Sequence, residues 1–129
     1  MAIELKILAW SVLLGLAHVF AAVALATRRR GLKWNVGNRD GEPKPLGGIA
    51  ARAARANHNF LETFGFFAAA VLAVVLAKKS TAHTVLGAEL YFWARAAYLP
   101  IYLIGIPYLR TLVWAISLWG ILQVAATLF

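Results

Sequence analysis

The sequence predicts an all-α integral membrane protein, an antiparallel four-helix bundle of spans, on three observations. Of 129 residues, 62% are hydrophobic and the mean hydropathy is +0.73, against the roughly 45–50% apolar content of soluble domains. Apolar stretches recur that reach about 20 residues, enough to cross a hydrocarbon core. The basic residues are concentrated, eight of the thirteen lying between Arg28 and Arg55, as the positive-inside rule expects of a cytoplasmic segment. The length suits one domain over residues 1–129.

The first span is expected over residues 3–26. Ala24-Leu25-Ala26 imitates a signal-peptide cleavage site, but Glu4 and Lys6 nearly cancel in front and Arg28, Arg29 and Arg30 follow, the reverse of a signal peptide's charge order. Residues 27–56 read as a basic cytoplasmic loop. Its Asn38-Arg39-Asp40-Gly41 run, with Pro43 and Pro45, is turn chemistry, and helix resumes near Gly47 or Gly48 ahead of the second span at 57–77. Lys78-Lys79-Ser80 connects to a third span at 82–104, interrupted by Pro100. Pro107 suits the first turn of a fourth span at 107–128, since its missing N–H costs nothing there. Four spans place both termini outside and Arg110 at the cytoplasmic end.

The formal net charge of +8 does not point to nucleic acid: the chain has no nucleic-acid motif and too apolar a remainder for a groove-reading surface. With no cysteine there is no disulfide, thiolate metal site or cysteine nucleophile, so thiol chemistry needs a thiol from a cosubstrate. His18 is isolated in the first span, and His58 and His83 fit no metal spacing, so no metal is expected. Gly15, Ala22, Gly65 and Ala69 read as small residues for close helix approach, and Trp93, Trp114 and Trp119 as apolar anchors.

Two polar stripes stand out. Arg52, Arg55, Asn59 and Glu62 are spaced three, four and three, one narrow helical face at the mouth of an apolar helix. Tyr91, Arg95, Tyr98 and Tyr102 are spaced four, three and four, again one face, with Glu89 on the opposite side. Both stripes and Arg110 approach the cytoplasmic end. Ionised groups at the edge of a bilayer helix need a partner, either another helix or a charged small ligand. On the first alternative Glu62 and Arg95 form a salt bridge, Arg52 snorkels to the interface and Asn59 bonds across helices. On the second, guanidiniums pair with carboxylates, glutamate accepts from an ammonium and arginine favours a thiolate.

The segment Arg52-Ala53-Ala54-Arg55-Ala56-Asn57-His58-Asn59-Phe60-Leu61-Glu62-Thr63 resembles the signature of the MAPEG proteins (membrane-associated proteins in eicosanoid and glutathione metabolism). Tyr91-Phe92-Trp93-Ala94-Arg95-Ala96-Ala97-Tyr98-Leu99-Pro100-Ile101-Tyr102, with Pro107-Tyr108-Leu109-Arg110-Thr111, resembles that family's third and fourth helices. The resemblance implies a homotrimer with a glutathione site between subunits near the cytoplasmic side. It implies that Arg55, Asn59 and Glu62 hold glutathione as cosubstrate, that Tyr98 and Tyr102 assist, and that Arg110 stabilises the thiolate. Arg52 is a supporting residue, and Arg95 matches an arginine that braces the glutamate. His58 and Thr111 stand where the prostaglandin-synthase branch has arginine and serine, which argues against prostaglandin E synthesis. Arg28, Arg29 and Arg30 cannot be registered against the family's first-helix arginine. The expected function is a membrane glutathione transferase or peroxidase acting on a lipophilic small molecule dissolved among the membrane lipids. The alternative is a non-catalytic lipid- or partner-binding protein of the same fold; a transporter lacks the expected inverted repeat. With no eukaryotic retention signal visible, the expected location is a bacterial inner membrane.

Overall fold

The computed structural model describes residues 1–129 as five helices and no strand: α1 (Ile3–Arg30), α2 (Leu32–Val36), α3 (Gly48–Leu76), α4 (Ala82–Ile104) and α5 (Pro107–Ala126). α1, α3 and α5 are long and apolar enough to cross a membrane. α4 has 23 residues, but Glu89, Arg95 and its three tyrosines dilute its apolar character. Burial runs inside out relative to a water-soluble protein. Phe66 and Trp93 are 71% and 67% exposed, whereas Glu4 and Arg95 are 1% and 0% exposed. Large apolar side chains turned outward match a lipid solvent.

The helix limits differ from the sequence expectation at one place. α1 does not stop at Ala26 but continues through Thr27–Arg30 until Gly31, whose φ of +93° ends it. Nothing in Thr-Arg-Arg-Arg breaks a helix, and cations are favoured in a last turn. Much of the expected loop 27–56 is therefore helical: α2 follows at once, and α3 begins at Gly48. Arg29 and Arg30 donate to the carbonyls of Pro45 and Lys44, folding the remaining loop back over the end of α1. α4 occupies 82–104 as expected and runs one turn past Pro100, and α5 opens on Pro107.

α4 and α5 make the most extensive helix pair, followed by α1 and α3. The first pair is set by two glycines. A Cβ on Gly120 would stand 2.5 Å from the Gly87 carbonyl oxygen and 2.8 Å from the Tyr91 nitrogen, and one on Gly87 would stand 2.7 Å from the Gly120 oxygen. Backbone meets backbone there, leaving no room for a side chain. α1 lies on α3 through Gly15, whose Cβ would touch the Phe60 ring at 2.8 Å. Gly65 and Ala69, expected in the same role, face outward from this chain, with nothing within 4 Å of a Cβ on Gly65.

The inner face of α1 carries Glu4, Ser11, His18 and Ala22, two heptad steps and then a turn. At the end where α1 and α4 begin, Thr84, which shares a capping box with Thr81, donates its hydroxyl to the Glu4 carboxylate. Each group lies in the first turn of its own helix, where the free N–H groups favour an anion. Further in, Phe60, Phe67, Val71, Val74, Tyr91 and Val124 form the main core, with Phe67 and Tyr91 stacked at 3.9 Å. A smaller cluster of Ala56, Ala94, Tyr98, Tyr102 and Val113 floors the opposite end of the bundle.

Candidate functional site

Above that floor α3, α4 and α5 enclose a cleft of about 610 Å³. α3 contributes Arg55, His58, Asn59 and Glu62, α4 contributes Tyr98 and Tyr102, and α5 contributes Arg110, Thr111 and Trp114. The two polar stripes thus meet within one chain, because α3 and α4 run antiparallel and the floor residues between them are small at Ala56 and Ala94.

The side chains are organised around two arginine contacts. Arg55 Nε donates to the Tyr102 hydroxyl at 2.9 Å. The Arg110 guanidinium carbon lies 4.7 Å from the centre of the same ring, so Tyr102 stands between two cations, bonded by one and faced by the other. Tyr98 meets Tyr102 edge-on at 5.5 Å. Glu62 is exposed and paired with His58 at 3.0 Å, one helical turn back on α3.

Arg95 lies behind this wall and does not line the cleft. It is fully buried, donates from Nη1 to Asn59 Oδ1 at 2.9 Å, and stacks on Tyr98 at 4.2 Å and Phe60 at 5.5 Å. A salt bridge from Arg95 to Glu62 does not form. The Arg95 fork is held inward among aromatic rings, while the Glu62 side chain is 58% exposed and faces the open cleft. Arg95 therefore bears on the cleft through Asn59, whose carbonyl it occupies, so that the amide NH₂ is the group left for a ligand.

Arg52 also lies outside the cleft. Its Nε donates to the Leu103 carbonyl at 3.1 Å, and its guanidinium rests against Gly105, the left-handed residue at φ +91° that closes α4. Arg52 sits a turn nearer the start of α3, which brings it level with the orphan carbonyls at the end of α4, and it caps them. Trp114, expected from the sequence to be an apolar anchor, is a cleft residue that the sequence did not point to. It lines the cleft, and its Nε1 is buried without a partner. Its position four residues after Arg110, hence on the same face of α5, was the available signal.

Two guanidiniums, one carboxylate already engaged by histidine and a set of directional hydroxyl and amide donors make a cleft suited to a small anionic or zwitterionic ligand. Fold and site together define a helical membrane protein with a cation-rich cleft at the end of its apolar bundle. The chain belongs to the MAPEG family, whose family model matches residues 7–129. No curated protein and no solved structure matches it.

Proposed function

We propose that the protein is a membrane-bound glutathione transferase or peroxidase, acting on hydrophobic electrophiles or lipid hydroperoxides that reach it through the bilayer. One observation supports this: Arg110 shares a single cleft with Arg55, Asn59 and Glu62. Arg55 offers a fork to a glutathione carboxylate, Glu62 accepts from its ammonium, and Asn59, Tyr98 and Tyr102 hold the peptide groups. Arg110 stabilises the thiolate. The sulfur then bonds to an electrophilic carbon, and the leaving group departs with the bonding pair. With a hydroperoxide, the sulfur attacks the terminal oxygen and the O–O bond breaks to give an alcohol. A second glutathione then converts the resulting sulfenic acid to the disulfide, releasing water.

The proposed assembly is a homotrimer of four-span bundles in a bacterial inner membrane, termini outside and the basic segment 27–56 cytoplasmic. α4 completes the fourth span, being about 35 Å long at 1.5 Å per residue. A neighbouring subunit would close the open side of the cleft, because α1 of the same chain supplies none of its wall. The alternative, a non-catalytic lipid- or partner-binding protein, draws on one feature: the Arg110 guanidinium is already engaged with Tyr102.

Calorimetric titration of the detergent-solubilised protein with glutathione, alongside conjugation to an aryl halide, tests the proposal. Binding with turnover is expected. Arg55→Ala should weaken binding by about tenfold or more, the worth of a charged hydrogen bond. Absence of glutathione binding would overturn the proposal, and binding without turnover on any electrophile would favour the non-catalytic alternative.

Arg95→Met separates stability from binding. Arg95 is fully buried with no carboxylate bonded to it and with Nε and Nη2 lacking partners, so an apolar side chain of similar reach removes a desolvation cost and thermal stability should hold or rise. Glutathione affinity should fall, because Asn59 loses the contact that orients it. Equal affinity in wild type and variant would remove Arg95 from any positioning role.

A further inference from the structure

α1, α2 and α3 enclose a second cavity, of about 340 Å³, on the other side of α3 from the first; Ala54 and His58 belong to both walls. Its two ends differ in chemistry. Toward the bilayer it is floored by Ala22, Val23, Ala26 and Leu61, and Val23 and Leu61 are 47% and 55% exposed, which leaves that end open to lipid. Toward the cytoplasm it is rimmed by Arg30, Trp34 and Arg39.

The rim is built, not incidental. Arg39 donates from Nε and Nη2 to the Asn35 carbonyl and from Nη2 to Asn35 Oδ1, while Asn35 Nδ2 donates to Thr27 Oγ1 at 2.9 Å. Arg39 holds this position at φ +60°, one of only two non-glycine residues in the left-handed region, a conformation that persists where surrounding contacts over-determine it. Arg30 spends Nε on the Lys44 carbonyl and keeps both terminal nitrogens for another acceptor.

Two guanidiniums above an apolar trough opening sideways into the membrane match a phosphate attached to acyl chains. A soluble phosphate would leave the trough uncovered, and the basic segment at this level draws anionic lipid. We propose that this groove binds an anionic phospholipid of the inner leaflet. Its phosphate lies between Arg30 and Arg39, and one chain runs along Val23 and Leu61.

Thermal-shift titration in mixed micelles tests the site, with phosphatidylglycerol as the probe and phosphatidylcholine as reference. Phosphatidylglycerol should raise the melting temperature saturably and phosphatidylcholine should not. Arg30→Gln combined with Arg39→Gly should weaken the titration midpoint by about thirtyfold, from the worth of two basic residues at a lipid surface. Glycine relaxes the left-handed residue, so the variant is expected to fold. Arg28→Gln with Lys33→Gln removes the same charge from the same segment outside the groove and should shift the midpoint far less. Equal loss in both double variants would overturn the site in favour of diffuse attraction. An equal response to glycerol phosphate or to oleate would overturn the phospholipid assignment, in favour of a free phosphate or a carboxylate amphiphile respectively.

Discussion

Gly120→Ala will destabilise the bundle by about 2–3 kcal/mol, at the upper end of what overpacking costs, and Gly120→Leu will prevent α4 and α5 from docking. The new Cβ would lie 2.5 Å from the Gly87 oxygen and 2.8 Å from the Tyr91 nitrogen. Both obstacles are backbone, so no rotamer change relieves them. Only translation of one helix does, and that also moves Tyr91 off Phe67. Thermal unfolding in detergent reads the effect. Gly15→Ala should cost less, because the atom it meets is the edge of the Phe60 ring. Gly65→Ala should be neutral or stabilising by up to about 1 kcal/mol, since alanine is the better helix former and its Cβ meets nothing. A variant series without this order would mean that helix spacing is not set at the Gly87–Gly120 crossing.

Arg110→Ala should lower glutathione-dependent turnover by about 10²–10³, the effect of deleting one preorganised charge-stabilising donor, while glutathione affinity changes several-fold at most. The asymmetry follows from the assigned roles. Arg55, Asn59 and Glu62 hold groups charged or polar in both thiol and thiolate forms, so their interactions are present throughout the reaction. Arg110 gains most when the sulfur is an anion, and such a gain appears in kcat. Arg110→Lys should recover only part of the rate, because an ammonium lacks the planar fork that lies against Tyr102. Loss of affinity equal to the loss of rate would make Arg110 a binding residue only.

How much of the cleft was legible beforehand depends on the kind of residue. Arg55, Asn59 and Glu62 were found because helical spacing places them on one face whatever surrounds them, and the same holds for Tyr98 and Tyr102. Arg52 satisfies the same periodicity and yet caps α4, since a stripe defines a direction but not where along the helix its neighbour ends. Trp114 was read only as an anchor because an apolar aromatic in an apolar helix carries no signal of a site until a cavity opens beside it. The seam of Glu4, Ser11 and His18 was equally quiet: heptad-spaced polar residues in a long hydrophobic run look like flanking or isolated residues until Thr84 and Phe60 are seen against them.

Composition and periodicity alone determined that the chain is helical and bilayer-bound, and which side chains share a helix face, because both follow from local geometry and from the solvent the side chains tolerate. The tertiary structure alone decided that Arg95 serves Asn59 and not Glu62, and that Gly87 and Gly120 set the distance between α4 and α5. It alone decided that Arg30 and Arg39 rim a groove of their own. Those outcomes depend on which helices become neighbours and at what height, and long-range contacts of that kind leave no periodic mark along the chain.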